Sequence, residues 1–90
     1  MESGLFIQKA KAAVVSYFNG RAESTDKNGR ITEADVFVVW YCKQLQNHKA
    51  LLSTTVPDGM YYELTYNGDK QECYFDAYKK WENKIAWADK

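Results

Sequence analysis

The stretch VFVVWYCKQL, from Val36 to Leu45, decides the fold because it can be interpreted as a helix or as a strand. The four residues before it, Thr32-Glu33-Ala34-Asp35, resemble a capping box and favour the start of a helix. The stretch itself is dense in β-branched and aromatic residues, whose stiff side chains suit a pleated sheet. We therefore predict one helical turn at Thr32, followed by a strand from Val36 to about Leu45.

Three further strands are predicted after this one. A tight turn near Gln46-Asn47 leads into the second strand, and Val56-Pro57-Asp58-Gly59 is a turn by composition. Asn67-Gly68 is the strongest short hairpin signal in the chain, and it separates the last two strands. The second, third and fourth strands are predicted over Lys49–Thr55, Met60–Tyr66 and about Gln71–Phe75.

Helices are predicted at both ends of the chain. The first runs from Leu5 to Phe18 and is ended by Asn19-Gly20, since both residues tolerate the left-handed conformation. A second apolar stripe, formed by Tyr78, Trp81, Ile85 and Ala88, predicts a C-terminal helix with Trp81 in the core. The sequence thus predicts a single α+β domain over residues 1–90, in the order α-β-β-β-β-α, with a mainly antiparallel sheet packed against two terminal helices.

Composition excludes several classes of protein. Aromatic residues make up 16% of the 90 residues, enough to bury a core and to disfavour disorder. Twelve basic and twelve acidic side chains cancel, whereas binding to phosphate backbones demands a clustered basic excess. The N-terminus lacks the features of a secretory signal, and the longest apolar run is far shorter than a membrane helix of about 20 residues. Cys42 and Cys73 have no CxxC spacing, so we expect buried free thiols in a cytoplasmic protein.

The segment from Ser24 to Asp35 partly matches a calcium loop. With Gly29 at the sixth position, Asp26, Asn28 and Asp35 fall on liganding positions. The first position is Ser24 rather than a carboxylate, and the preceding helix ends too early to enter the loop. We expect a polar turn and no metal site.

Catalytic side chains are sparse. The only histidine, His48, lies beside a predicted turn, where an exposed side chain is the expectation. If Asn67-Gly68 forms a two-residue turn, Glu63 lies opposite Glu72, a like-charge pair that could share a proton or hold a metal. A four-residue loop through Lys70 would instead pair Thr65 with Glu72, and this is the register we favour.

The first strand is apolar on both of its faces, which points to an interaction surface. Two helices can cover one face of the sheet, and nothing remains to cover the other, which would show Tyr41 or Trp40 with Tyr61 and Tyr74. Curling of the sheet could hide this patch instead. The candidate interface comprises Phe37, Tyr41, Tyr61 and Tyr74.

A resemblance covers more than half of the chain. It is carried by ITEADVFVVWYCKQLQNHKALLSTTVPDGMYYELTYNGDKQECYFDAYKKWEN, Ile31 to Asn83, which resembles a family of small uncharacterised proteins encoded by phages and prophages of low-GC Gram-positive bacteria. The resemblance implies a phage origin and action in the bacterial cytoplasm. It implies no activity, cofactor or functional residue.

These observations predict a non-catalytic binding protein that occupies a host protein, in host takeover or in the inhibition of a defence factor. The alternative is a nucleotide or single-stranded nucleic-acid binder whose sheet aromatics stack on bases, although the zero net charge disfavours it. A small enzyme using Glu63 and Glu72 is the weakest hypothesis. A homodimer that covers the aromatic patch is a further possibility, and no cofactor is expected.

Overall fold

The computed structural model describes residues 1–21 and 29–89. Helix α1 spans Ser3–Arg21, and a short 3-10 helix spans Glu33–Asp35. Four strands follow, β1 (Val36–Gln44), β2 (Asn47–Thr54), β3 (Met60–Asn67) and β4 (Glu72–Lys79). They form one sheet in the order β1-β2-β3-β4, with every neighbouring pair antiparallel. The predicted α+β class and antiparallel sheet are confirmed.

The stretch that decides the fold is a strand, as predicted, and the helical turn before it is also present. The Asp35 carboxylate accepts a hydrogen bond from the Thr32 backbone N–H at 2.8 Å, which closes the predicted capping box. Thr55 N–H donates to the Asp35 carbonyl at 2.9 Å, so the turn is attached to the end of β2. The helix that begins at this capping box is therefore a single 3-10 turn, and the β-branched residues beyond Asp35 join the sheet.

Helix α1 is longer than predicted, because Asn19-Gly20 does not end it. The Asn19 side chain instead binds both backbone groups of Ile31, accepting from its N–H at 2.8 Å and donating to its carbonyl at 2.9 Å. This pair of bonds fixes the end of α1 to the chain that enters the sheet.

The core lies between α1 and one face of the sheet. Phe6, Ala10 and Val14 recur every four residues, so they form one stripe of the helix, and all three are buried. They meet the inward side chains of the strands. The buried apolar residues of the core are Phe6, Ala10, Val14, Ile31, Val36, Ala50, Leu52, Tyr62 and Leu64.

The predicted C-terminal helix is wrong. β4 extends to Lys79, and residues 80–89 form no helix or strand. Pairing explains the extension, since Met60 to Glu63 of β3 need backbone partners, and residues 76 to 79 provide them. Trp81, which was expected in the core, is 94% exposed, and Ile85 and Trp87 are also exposed.

The hairpin at Asn67-Gly68 is confirmed, but neither expected register is present. Asn67 pairs with Glu72, and the four residues 68–71 connect the two strands. Gly68 is required by a close approach rather than by its backbone angle, because a Cβ there would collide with the backbone carbonyl of Gln46. Gln71, with φ of 56°, is the residue that adopts the left-handed conformation in this loop.

Within residues 1–21 and 29–89, no helix is both long and apolar enough to cross a membrane.

Candidate functional site

The sheet has a covered face and a face that we call the open face. Leu52, Tyr62 and Leu64 point to α1 and are buried, so alternation places Leu51, Tyr61 and Glu63 on the opposite side. The strand pairings extend this side across all four strands. The open face comprises Phe37, Trp40, Cys42, Lys49, Leu51, Tyr61, Glu63, Thr65, Tyr74, Asp76 and Tyr78.

A β-bulge in β1 decides which aromatic residues reach the open face. Val38 pairs with Leu52, and Trp40 pairs with Leu51, so Val39 is one extra residue on β1. Beyond the bulge the alternation is shifted by one residue. Trp40 therefore lies on the open face and Tyr41 on the covered face. The sequence prediction placed Tyr41 in the interface because it assumed strict alternation, and that placement is wrong.

Tyr41 instead belongs to a partly buried hydrogen-bonded chain with the only histidine. Its hydroxyl lies 2.6 Å from Nδ1 of His48 and 2.8 Å from Oγ of Ser3, while Nε2 of His48 lies 2.9 Å from the Met1 carbonyl. The ring of Phe6 stacks on the imidazole at 4.9 Å between centroids. His48 is 1% exposed, so the expectation of an exposed turn histidine is wrong. Its burial follows from its place on the covered side of β2, beside Lys43 of β1.

Aromatic side chains dominate the exposed part of the open face. Phe37 is 47% exposed, Trp40 41%, Tyr74 53% and Tyr78 51%, whereas Tyr61 is half-buried. The sequence prediction of Phe37, Tyr61 and Tyr74 on this side of the sheet agrees with the structure. It missed Tyr78, which it assigned to a helix. The length of β3 was the signal that could have placed Tyr78 in a strand.

Carboxylates give the open face an acidic centre. Glu63 lies directly opposite Asp76 on the neighbouring strand, and Lys49 reaches Glu63 at 3.7 Å. Both carboxylates raise the pKa of the Tyr78 hydroxyl, since a second negative charge beside them is unfavourable. The predicted partner of Glu63, Glu72, lies elsewhere on β4 and accepts a hydrogen bond from the Tyr74 hydroxyl at 2.9 Å. This bond and the charge of Glu72 raise the pKa of Tyr74.

The two cysteines are free and exposed, which corrects the expectation of buried thiols. Cys42 follows the bulge and lies on the open face, and Cys73 lies on the opposite side of β4. Partial burial raises the pKa of the Cys73 thiol, against a smaller lowering by a backbone hydrogen bond from Thr65. The thiols have no imidazole partner, because both nitrogens of His48 are engaged elsewhere.

The residues of the calcium-loop match lie partly outside the described structure, namely Ser24, Asp26 and Asn28. Asp35 lies at the last liganding position of this match, and its carboxylate accepts a hydrogen bond from the Thr32 N–H. Among residues 1–21 and 29–89, no cluster of three or more His, Cys, Asp or Glu side chains could hold a metal ion.

A cleft of about 480 Å³ lies on the covered side, between α1 and the β3–β4 hairpin. Phe6, Ala13 and Phe75 line it, and its polar side chains are Lys9, Tyr66, Gln71 and the Cys73 thiol.

Comparison with known proteins identifies a family without assigning a function. A family model described as a family of unknown function (DUF6275) matches residues 7–87. The chain has no significant match among curated proteins or among solved structures.

Proposed function

Because the chain belongs to the DUF6275 family, whose function is unknown, we propose a function from its surface: it is a non-catalytic protein that binds another protein through the open face. The single observation that carries this proposal is the exposure of Phe37, Trp40, Tyr74 and Tyr78 on one sheet face, which none of the described elements covers. Aromatic residues are enriched where proteins bind one another, because they bury a large area at a small cost in conformational entropy.

The charge pattern indicates the chemistry of the partner. Glu63 and Asp76 lie side by side in the middle of the aromatic residues, and like charges in direct opposition on a sheet are destabilising. A partner that brings an Arg or Lys side chain to this point would relieve the repulsion and add complementary charge. The proposed partner therefore presents apolar side chains around at least one basic residue.

The biological setting is also a proposal. The resemblance of Ile31 to Asn83 to phage and prophage proteins supports a phage-encoded protein that acts in the cytoplasm of its bacterial host. Its partner would then be a host protein, and occupying that protein would serve host takeover or the inhibition of defence.

Binding of nucleotides or single-stranded nucleic acid remains the alternative on the basis of the aromatic residues alone, since bases stack on such rings. The acidic centre of the open face disfavours it. Glu63, Asp76 and Glu72 would repel phosphates, and Lys49 is already close to Glu63.

Capture from a lysate of a low-GC Gram-positive bacterium tests the proposal when variants are compared side by side. Trp40→Thr/Tyr74→Thr/Tyr78→Thr removes three of the open-face rings and keeps good strand formers. The control, Trp81→Thr/Trp87→Thr, removes two rings that are even more exposed but lie beyond β4.

We expect the parent and the control to retain the same host protein, and the open-face variant to lose it while its circular dichroism is unchanged. Retention by a folded open-face variant would contradict the proposal. Retention of oligonucleotide instead of protein, lost in the same variant, would favour the alternative.

A further inference from the structure

The two edges of the sheet differ in how well they are protected from pairing with another strand. At one edge, β1 is interrupted by the bulge at Val39, a device that disfavours edge-to-edge pairing. At the other edge, β4 runs for eight residues with an unbroken register against β3, and it contains no proline. In the described part of the chain, no strand pairs with the outer side of β4.

One backbone hydrogen bond shows which backbone N–H and C=O groups of β4 are available to pair with another strand. Lys80 N–H donates to the Gly59 carbonyl at 2.7 Å, so this pair is a hydrogen-bonded pair of the antiparallel ladder. Such pairs alternate with non-hydrogen-bonded pairs along the strands, so even-numbered residues of β4 direct their N–H and C=O groups to β3. The odd-numbered residues direct theirs outward. They are Cys73, Phe75, Ala77 and Lys79.

We propose that two copies of this chain pair β4 with β4 in antiparallel orientation, forming one continuous eight-stranded sheet. The occupant of the edge is a second copy because antiparallel self-pairing about a two-fold axis closes the assembly. Pairing of β4 with β1 of another copy would leave open ends and would meet the bulge. The pairing uses the outward backbone groups of β4, so this proposal does not rest on the proposed function, although Tyr74 and Tyr78 of the open face lie beside the junction.

Charge restricts the register of the pairing. A two-fold axis perpendicular to the sheet pairs residues that lie on the same face, so the axis lies midway between one residue of β4 and the same residue of the second copy. An axis at Asp76 would place this carboxylate opposite its own copy, which is unfavourable. The neighbouring registers centre on Phe75 or on Ala77, and they place Asp76 beside Tyr74 or Tyr78 of the second copy, where a hydroxyl can donate to it.

The dimer would enlarge the candidate binding surface. A two-fold axis perpendicular to the sheet keeps both open faces on the same side, and Tyr74 and Tyr78 of both copies flank the junction. The two aromatic patches thereby become one surface.

The mass in solution, measured by light scattering after size exclusion from low micromolar to submillimolar concentration, tests the proposal. We expect a dimer for the parent and for Ala77→Thr, which is a good strand former. Ala77→Pro removes an outward N–H that β3 does not use, so it should give a monomer with the parental circular dichroism. A monomeric parent at every concentration, or a dimer that persists in folded Ala77→Pro, would overturn the proposal.

Thiol cross-linking keeps the test decisive if Ala77→Pro does not fold. In Cys42→Ser/Ala77→Cys, the thiols at 73 and 77 of one chain are about 13 Å apart along the strand, too far for a disulfide. Cross-linking therefore joins two chains, and it is expected in both allowed registers. Adding Cys73→Ser leaves cross-linking only when the axis is at Ala77.

The matched control is Cys42→Ser/Cys73→Ser/Ser16→Cys, which carries one exposed thiol on α1. It should remain uncross-linked under the same oxidation. Equal cross-linking of the control and of the β4 variant would show random collision and would refute pairing through β4.

Discussion

At the residue scale, the imidazole of His48 is satisfied at both nitrogens although it is buried. The Met1 carbonyl can only accept, so Nε2 carries a hydrogen, and a neutral ring then accepts at Nδ1 from the Tyr41 hydroxyl. The Tyr41 hydroxyl also lies 2.8 Å from Oγ of Ser3, so Tyr41 is the centre of this chain of hydrogen bonds.

Tyr41→Phe should lower the free energy of unfolding by about 1–3 kcal/mol, because it leaves a buried ring nitrogen without a partner. Tyr74→Phe is the matched control, since within one chain the Tyr74 hydroxyl bonds only to the exposed Glu72 side chain. The control should change stability by no more than about 0.5 kcal/mol. Urea unfolding measures both, and equal effects would show that the Tyr41 hydroxyl is not buried in this chain.

Trp81 is exposed, whereas its sequence context predicts a buried residue. The stripe of Tyr78, Trp81 and Ile85 predicts a core residue whose loss costs about 3–5 kcal/mol. At 94% exposure, Trp81→Ala should instead change the free energy of unfolding by about 0.5 kcal/mol or less. Leu52→Ala, at a fully buried position, should cost about 2–5 kcal/mol in the same assay. A comparable loss in Trp81→Ala would place Trp81 in the core.

At the scale of elements, the strands were predictable from residue chemistry, and the bulge was not. β-branched and aromatic density identified β1, and turn residues separated β2, β3 and β4. The position of the bulge cannot be predicted from VFVVW, because residues 38 and 39 are both valine and either could be the extra residue. The faces of Trp40 and Tyr41 depend on that one residue, so the site was only partly predictable.

Deletion of Val39 tests the bulge. It restores regular alternation while Trp40 stays on the open face and Tyr41 on the covered face, so we expect a folded protein that loses about 1–2 kcal/mol or less. Deletion of Leu51, which lies in register with Trp40, reverses the faces of every later residue in β2 and should abolish folding. Thermal unfolding followed by circular dichroism separates the two. Loss of folding on deletion of Val39 would contradict the assignment of the bulge.

The C-terminal segment shows why an apolar stripe at helical spacing does not by itself predict a helix. Tyr78 fits the spacing of a helix with Trp81 and Ile85, yet it also alternates with Tyr74 and Asp76 as a strand residue does. Pairing decides between them, because β3 offers eight residues that need partners. Long-range pairing of this kind cannot be determined from local periodicity.

At the scale of the whole molecule, one helix on one face of a four-stranded sheet leaves a surface that must face water or a partner. A chain of 90 residues buries a smaller share of its surface on folding than a larger domain does, so covering both faces is difficult. Within the described residues, α1 covers one face and no element covers the other. The aromatic residues of the open face are therefore the part of the molecule whose exposure calls for a functional explanation.

The dissociation constant of the complex with the captured host protein tests this account most directly, when it is measured by calorimetry for the parent and for Trp40→Thr. Trp40 is the one tryptophan of the open face, and tryptophans at binding hot spots commonly contribute at least about 2 kcal/mol, or roughly thirtyfold in affinity. We predict a weakening of about thirtyfold or more for Trp40→Thr, with Trp81→Thr within about twofold of the parent. Parental affinity in a folded Trp40→Thr variant would contradict the assignment of the open face as the binding surface.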